Sequence, residues 1–312
     1  MPLSGILPLN KSEGLRSTHC VQQIRHILGR GTKTGHGGTL DSTASGVLII
    51  LAGQATRLSN FIMELPKSYQ AEVSFGAQTS TDDASGEVIL RAPREHVTNE
   101  AIDAALCGFM GWRMQSPPAV SAAHVDGERA HALAREGRGV VPDAKAVCFS
   151  SIRRTSDIDA DGKVSFRIDC RKGTYIRSFA RDLGLTMGSA AHLSALERVS
   201  SGPFRSAALK SAEELFEMGR RELEAEILPI SALSGQAATY AADEAAFDML
   251  SHGRRVQLHA LSRRSLGEIK FSAAKIVVGS EKIFSICAAK RHLGSLELAP
   301  EVNIILSGGC KE

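Results

Sequence analysis

The chain has 312 residues, of which 43% are hydrophobic and 23% charged, and its formal net charge is +3. This length allows a sizeable core, and the balanced charge excludes a polybasic nucleic-acid tail. The longest apolar run, GVLIILAG, is far shorter than the roughly 20 residues of a membrane-spanning helix, and the first residues lack a signal-peptide pattern. The six cysteines form no CxxC pair. We therefore expect a soluble, cytoplasmic protein with reduced thiols and no membrane partner.

Hydrophobic periodicity predicts alternating strands and helices over the first half of the chain. The first predicted elements are a strand at SGILPLN, a helix at SEGLRSTHCVQQIRHILG capped by Ser17 or Thr18, and a buried strand at SGVLIILAG. A helix at QATRLSNFIMEL and a half-buried strand at SYQAEVSFG follow. An acidic turn at AQTSTDDASGE then leads to a helix at TNEAIDAALCGFMG, capped by Thr98 or Asn99. The strand at SYQAEVSFG is the clearest, because its apolar residues alternate on one face.

The second half opens with a loop and a short helix over MQSPPAVSAAHVDGERAHALAREGRGVVP. The elements that follow are an antiparallel strand pair at KAVCFSSIRRT and KVSFRIDC, a helix at TYIRSFARDLGLTMG, and strand-like pieces at RRVQLHAL, AKIVVGS, KIFSICAA and NIILS. This order has no repeated βαβ rhythm and therefore predicts an α+β fold with a mixed, mostly antiparallel sheet. We expect two domains, residues 1–236 and a small β-rich domain at 237–312.

One carboxylate occupies an unusual place in the stretch GHGGTLDSTASGVLIILAG, where Asp41 lies in a glycine-rich turn before the buried strand. Two roles fit this position. Asp41 could be a turn residue, since Asp side chains bond nearby backbone N–H groups in loops, or it could be a nucleophile. The adjacent glycines would let a ligand approach it closely.

The other acidic residues and the histidines give weaker signals. The cluster of Asp82, Asp83 and Glu87 lacks the spacing of a calcium loop, so we interpret it as a solvated turn. The histidines are scattered without an i, i+4 pair, and so predict no metal site.

Two further stretches supply an aromatic ring and a cation. LPKSYQAEVSFG puts Tyr69 at the start of a strand, and RKGTYIRSFARDLG puts Lys172, Tyr175 and Arg177 around a strand-to-helix turn. Taken singly, Tyr69 could be a core aromatic and Arg177 a surface charge. Taken with Asp41, they form a set that suits covalent carboxylate catalysis on a flat, neutral ring. The arginine would orient the carboxylate, and the tyrosine would stack on the ring or move a proton.

Four blocks of the chain resemble a known family. The blocks GHGGTLDSTASGVLIILAGQATRL, KSYQAEVSFGAQTSTDDASGE, QSPPAVSAAHVDGERAHALAREG and RKGTYIRSFARDLG resemble, in order and spacing, those of the bacterial tRNA pseudouridine-55 synthase family (TruB type). The resemblance covers roughly residues 4–235. It implies a catalytic domain of the pseudouridine synthase type, with an RNA-binding insertion at about 91–150. It also implies a redox-neutral isomerisation that needs no cofactor.

The resemblance assigns roles to individual residues. Asp41 matches the catalytic aspartate, which attacks the sugar or base of the target uridine so that its glycosidic bond breaks and C5 rejoins C1′. Arg177 matches the arginine that pairs with this aspartate, and a bidentate pair would keep the carboxylate ionised and oriented. Tyr69 matches the tyrosine that stacks on the flipped base and takes the C5 proton. The matches expected to bind substrate are His36, which stabilises the rearranged RNA loop, Lys11, Gly38 and Lys172, and the base-pocket walls Tyr175 and Leu196.

The chain also departs from the family pattern. Ser12 and Ser42 stand where the family usually has prolines, and Gln78 opens a Gln-Thr-Ser-Thr run where Arg-Thr-Asp-Thr is usual. His124 and His131 replace a lysine and a tyrosine of the Pro-Pro block. None of these changes touches the aspartate, arginine or tyrosine, so we expect the chemistry to stand. Loop rigidity and RNA affinity are expected to differ, because lost cations weaken phosphate contacts.

The C-terminal segment resembles the small β-rich RNA-binding module, PUA-like, that often follows this catalytic domain. Two interpretations of its arginines stay open: they could contact phosphates or form a solvated loop. These arginines are Arg254, Arg255, Arg263 and Arg264.

The leading hypothesis is a cofactor-independent isomerase that acts on the T-arm stem-loop of tRNA as a monomer, without an obligatory protein partner. One alternative is an RNA-binding folding factor that grips the tRNA elbow. A second alternative is the same chemistry on another RNA, such as an mRNA hairpin or a guide-directed site. The chain has no long basic extension of the kind expected in a ribonucleoprotein, which favours a stand-alone tRNA enzyme.

Overall fold

The computed structural model describes residues 3–121, 124–125, 128–129, 142–233, 236–265, 275–280, 283–292 and 295–306. The strands up to residue 205 are β1 (Gly5–Lys11), β2 (Thr34–His36), β3 (Ser45–Ala52), β4 (Lys67–Phe75), β5 (Ala77–Thr79), β6 (Val88–Arg91), β7 (Gly111–Gln115), β8 (His124–Val125), β9 (Glu128–Arg129), β10 (Lys145–Arg154), β11 (Lys163–Cys170), β12 (Ala191–Ser201) and β13 (Phe204–Arg205).

Nine of these strands form one large sheet in the order β1-β3-β12-β4-β11-β10-β7, with β2 on β3 and β13 on β12. The pairs are antiparallel except for β3 with β12. Strands β5 and β6, and likewise β8 and β9, form separate two-stranded ribbons. Because β12 lies between β3 and β4, the loop that precedes β3 lies close to β4. The candidate site forms where this loop and β4 meet.

The described helices are α1 (Ser17–Leu28), α2 (Ser59–Glu64), α3 (Asn99–Leu106), α4 (Ile176–Thr186), α5 (Ala212–Phe216), α6 (Arg220–Glu226) and α7 (Glu244–Ser251), with 3₁₀ turns at Gly53–Leu58, Cys107–Phe109, Ser206–Ala208, Ile230–Leu233 and Leu258–Ala260. The cap predicted for α1 is wrong. Ser17 lies inside the helix, and its hydroxyl binds the backbone of Leu40 through both O and N. The Thr98 cap of α3 is confirmed, because its side chain accepts from the Ala101 N–H.

Helix α4 covers one face of the large sheet, because its apolar residues recur at helical spacing. Phe179 at its centre packs against three other rings at centroid distances of 5.2, 5.7 and 5.6 Å, those of Phe109, Phe149 and Phe166. This packing fixes the first turn of α4, which carries Arg177, against the sheet.

A second sheet comprises β14 (Ala238–Ala241), β15 (Val256–Gln257), β16 (Ser262–Ser265), β17 (Lys275–Gly279), β18 (Ile283–His292) and β19 (Ser295–Ile305). Its order is β15-β19-β18-β17-β14-β16. Phe284, Ile286 and Ile304 of this sheet share one buried apolar cluster with Ile49 and Leu51 of β3. The two sheets are therefore joined through a common core.

The predicted fold class is confirmed as α+β, with a mixed, mostly antiparallel sheet and a C-terminal β-rich part. The boundary at residue 236 and the RNA-binding insertion stay predictions. The loop and short helix expected around residues 115–142 fall largely outside the described residues. In the part of the chain that is described, no helix is both long and apolar enough to cross a membrane.

Candidate active site

Asp41 lies in the loop between β2 and β3, and the side chain of Lys11 binds the backbone of this loop. Lys11 is fully buried, and its ammonium donates to the carbonyls of Ser12, Leu15 and Ala44. Burial lowers the pKa of Lys11 from its ordinary value. In the structure the ammonium of Lys11 is therefore bound to backbone carbonyls. The expected contact of Lys11 with substrate stays a prediction.

Arg177, in the first turn of α4, is the cation that meets Asp41. Its Nε lies 2.9 Å from Asp41 Oδ2, but no hydrogen bond joins these two described side chains, so the contact is ionic. Its Nη1 donates to the carbonyls of Thr81 and Val120, at 3.0 and 3.1 Å. The expected bidentate pair is therefore wrong. Arg177 is buried rather than a surface charge, and its orientation comes from the backbone of two loops.

A second carboxylate reaches Arg177 from the acidic turn. Asp83 Oδ2 lies 3.7 Å from Arg177 Nε. Burial disfavours the charged form of Asp83, but hydrogen bonds from Ser85 and Thr81 outweigh it, so the pKa of Asp83 lies below its ordinary value. The interpretation of this cluster as a solvated turn is wrong for Asp82 and Asp83, which are buried.

The neighbouring acid, Asp82, binds the next arginine along α4. Arg181 Nη1 lies 2.8 Å from Asp82 Oδ2, and Arg181 Nη2 lies 2.9 Å from Asp182 Oδ1. Arg181 also donates to the carbonyl of Ser116. Burial raises the pKa of Asp82 above its ordinary value despite the attraction of Arg181.

Tyr69 projects from β4 toward the same region. Burial raises its pKa to about 12, so that Tyr69 is a neutral phenol near pH 7. The nearby charge of Arg198 opposes this rise in the pKa of Tyr69. The backbone of Arg198 is opposite Tyr69 in the pairing of β12 with β4.

Two buried cations beside Tyr69 were not predicted from the sequence. Arg198 donates to the carbonyls of Val47, Thr39 and Gly38 at 2.7, 3.2 and 3.3 Å, and so fastens the Asp41 loop to β12. Lys67 donates to the carbonyls of Met63 and Leu65, both at 2.6 Å. Lys67 opens one of the four quoted blocks but was given no role, and Arg198 lies outside them. A charged residue in a strand ordinarily indicates a solvent-facing position.

These side chains line one cavity of about 990 Å³. Its lining includes seven of the nine predicted site residues, which are Gly38, Asp41, Tyr69, Lys172, Tyr175, Arg177 and Leu196. Ile286, Glu301 and Val302 of the second sheet also line it. The cavity thus presents Asp41 and two further carboxylates, aromatic walls and several cations, which is a set suited to an anionic polymer with a planar base.

The sequence was compared with those of known proteins. A model of the TruB family pseudouridylate synthase N-terminal domain matches residues 25–176. A tRNA pseudouridine synthase B from Chromohalobacter salexigens is 33% identical over 302 residues, covering 96% of this chain and 97% of the relative. One from Staphylococcus haemolyticus is 42% identical over 206 residues, covering 64% and 67%. The chain belongs to the TruB family of pseudouridylate synthases.

A solved structure of a Cbf5-Nop10-Gar1 complex contains a chain of the same fold. The TM-score is 0.71 at 22% identity, with 97% of this chain and 85% of that chain covered. The likeness supports the fold of this TruB family member.

Two predicted substrate-binding residues of this TruB family member lie outside the cavity lining, namely Lys11 and His36. His36 lies on β2, half-buried, and its Nδ1 has no hydrogen-bond partner among the described residues. Burial, followed by the charge of Arg198, lowers the pKa of His36. This nitrogen is itself buried, so it is not exposed to an RNA that arrives from outside. The expected role of His36 in stabilising the rearranged RNA loop stays a prediction.

The residues that depart from the TruB family pattern make local contacts within the protein. The hydroxyl of Ser12 donates to Glu213 at 2.9 Å, and the carbonyl of Ser42 accepts from the Gly14 N–H at 2.8 Å. The side chain of Gln78 contacts Asp82 at 3.4 Å, and so faces the buried arginine network rather than solvent. His131 lies outside the described residues, as does the side chain of His124.

Around the cavity mouth, two predicted residues make further contacts. Lys172 Nζ lies 2.6 Å from Glu64 Oε1, so these two residues of the cavity lining form an ion pair. Burial raises the pKa of Tyr175 above its ordinary value, although a hydrogen bond with Ser121 opposes this. Tyr175 is therefore a neutral wall of the cavity.

Proposed function

We propose that this protein isomerises a uridine of tRNA to pseudouridine and that the uridine lies at position 55 in the T-loop. Membership of the TruB family supports the reaction class, and relatives named tRNA pseudouridine synthase B support the substrate. The observation that carries the proposal is Asp41, whose side chain is 41% exposed at the cavity while its partner Arg177 is buried. A carboxylate held by a buried cation but open to a cavity suits a nucleophile.

The reaction changes bonds within one nucleotide and leaves its oxidation state unaltered. Asp41 attacks the sugar at C1′ or the base at C6, the C1′–N1 bond breaks, and the bonding electron pair stays with uracil. The ring then turns, its C5 forms a bond to C1′ with an electron pair, and Asp41 is released as a carboxylate. C5 then loses its proton and N1 takes up a proton, which completes pseudouridine, so that substrate and product are isomers.

Tyr69 is proposed as the ring that stacks on the flipped uracil, whose extrusion from the loop costs about a few kcal/mol. Because Tyr69 is a phenol near pH 7, it can take the C5 proton only as its own proton moves on. Tyr175 and Leu196 stand on the same cavity and are proposed as the walls of the base pocket.

We further propose that the enzyme binds the T-arm as a monomer and that the second sheet adds phosphate contacts. Arg254 and Arg263 are exposed, whereas Arg255 is paired with Glu297 at 3.2 Å. Deleting the second sheet would uncover the shared apolar core, so point variants are the sharper test. Replacing Arg254 and Arg263 by alanine should weaken tRNA binding and flatten its salt dependence.

The deciding experiment uses an unmodified tRNA transcript tritiated at C5 of its uridines. Formation of the C5–C1′ bond ejects this hydrogen, so released tritium counts pseudouridine. We expect release stoichiometric with tRNA, located at position 55 by sequencing of the product, and none from a tRNA whose position 55 is cytidine.

The alternatives predict different results in the same assay. A folding factor would bind the transcript without releasing tritium. A synthase for another RNA would release tritium from that RNA and none from tRNA. Either result would overturn the proposal.

A further inference from the structure

Two cations of the cavity wall have no part in the reaction as proposed. Lys67 and Arg198 are 6% and 3% exposed and line the cavity beside Tyr69. They belong to the neighbouring strands β4 and β12 in the middle of the large sheet, so the backbone holds them rigidly.

Neither cation has a carboxylate within ion-pair distance in the part of the chain that the structure describes. Their donors are bound to backbone carbonyls, which satisfy hydrogen bonds but cancel no net charge. Arg177, the third buried cation of the lining, is neutralised by Asp41 and Asp83. The carboxylate of Glu64 lines the same cavity and attracts Lys67, but from beyond ion-pair distance. Positive charge is therefore in excess at the Tyr69 side of the cavity. A buried unpaired charge is costly, so its retention calls for an explanation.

The proposed reaction creates a negative charge in that place. Attack of Asp41 at C1′ expels uracil with the electron pair of the C1′–N1 bond, and attack at C6 moves a pair onto the ring oxygen O4. In both routes, the ring is anionic after the first bond change. It becomes neutral again when C5 has joined C1′, after which the loss of the C5 proton is balanced by the gain of a proton at N1.

We propose that Lys67 and Arg198 form a cationic wall that stabilises the uracil anion between cleavage and rejoining. The inference rests on the proposed function. The wall interacts more strongly with the anionic ring than with neutral substrate or product, which is the condition for accelerating a chemical step. The same attraction keeps the detached ring in the cavity while it turns.

The electrostatics of Lys67 agree with this role. Burial and then the charge of Arg198 lower the pKa of Lys67 to about 7. An anion in the cavity shifts this balance toward the ammonium form, since opposite charges stabilise each other. Lys67 thus gains its full charge when the anion is present.

The test compares two leaving groups. T-arm RNA is prepared with uridine or 5-fluorouridine at the target position, because fluorine withdraws electrons and stabilises the anion without help from the protein. Loss of the intact nucleoside is followed under single-turnover conditions, by digestion and mass spectrometry. We expect Lys67→Met and Arg198→Met to slow conversion of uridine about 100-fold and that of 5-fluorouridine several-fold less.

Comparison variants separate charge from structure. Arg198→Lys keeps a cation and should retain the wild-type ratio between the two substrates. Lys145→Met removes an exposed cation of the same cavity and should slow both substrates by an equal factor. Because the ratio is internal to each variant, partial misfolding cancels out of it.

The possible failures are distinguishable. If Lys67→Met and Arg198→Met slow both substrates equally, or slow neither, the cationic wall is overturned and the isomerase is untouched. If the wild-type protein converts no uridine in tRNA, the proposed function falls and this inference with it.

Discussion

Two arginines one turn apart on α4 make similar pairs with neighbouring carboxylates, yet only one of them belongs to the cavity. Arg177 contacts Asp41 and Asp83, and Arg181 contacts Asp82 and Asp182. Both arginines also donate to loop carbonyls. Residue type and spacing are thus nearly the same in the two networks.

The networks differ in access and in the state of their acids. Asp41 is 41% exposed at the cavity, whereas Asp82 is buried behind it. Hydrogen bonds stabilise the charged form of Asp83, while burial destabilises that of Asp82. An arginine–carboxylate pair is therefore reactive only where the surrounding fold leaves one acid open to a ligand. The pair of Arg181 with Asp82 instead fixes the acidic turn, whose Asp83 contacts Arg177.

The strongest test of the comparison is Asp41→Asn. Removing the nucleophile should lower turnover by more than about 10⁴-fold, because no other carboxylate of the network is open to the cavity. The amide has nearly the same shape, and Arg177 retains Asp83, so folding and tRNA affinity should be preserved. Tritium release and filter binding measure the two properties. Turnover near the wild-type level would remove Asp41 from the mechanism.

Arg177→Lys should have the next largest effect. A lysine retains the charge but cannot reproduce the planar contacts to Asp41, Thr81 and Val120, so we expect a loss of about 100-fold in single-turnover rate. tRNA affinity should change little. An unchanged rate would show that any buried cation suffices and that the orientation of Asp41 comes from its loop alone.

Arg181→Met should give the opposite pattern. It leaves Asp82 buried without its cation, which should cost about 3 kcal/mol of stability in urea unfolding. The single-turnover rate of the folded protein should remain close to wild type, because Arg181 is not among the residues that line the cavity. A rate loss as large as that of Arg177→Lys would show that the two networks act as one unit.

The sequence predicts the parts of this arrangement in which apolar periodicity and local structure agree. The inward face of β4, from Tyr69 to Phe75, and the stripe of α4 follow directly from their spacing. Strand β12 was not predicted, because its buried positions include Arg198, Ser200 and Ser201, which disguise the period of two.

The acidic turn was misinterpreted for a related reason. Burial of Asp82 and Asp83 depends on arginines that are distant in the sequence, and no local pattern reveals such partners. The pairing of Asp41 with Arg177 was anticipated from the set of residue types and from the family resemblance, and no local pattern indicated it. The contact is ionic and not bidentate, because the carbonyls of Thr81 and Val120, in two different loops, orient Arg177.

The smallest predicted effect is the pH dependence of stability that separates Asp82 from Asp83. The pKa of Asp83 lies below the ordinary 3.8, so its stabilisation is complete above 3.8 and is lost as pH falls through the lower folded-state value. The pKa of Asp82 lies above 3.8, so its charged form costs stability above that raised value, and the cost is relieved as pH falls toward 3.8.

The stabilities of Asp82→Asn and Asp83→Asn relative to wild type should therefore depend on pH with opposite slopes. Urea unfolding of the three proteins between about pH 3 and 6 measures these slopes, since acid effects elsewhere in the chain cancel in the differences. As pH falls, the advantage of wild type over Asp83→Asn should shrink, and its stability relative to Asp82→Asn should rise. Parallel slopes would mean that Asp82 and Asp83 share one environment. The networks of Arg177 and Arg181 would then differ only in access to the cavity.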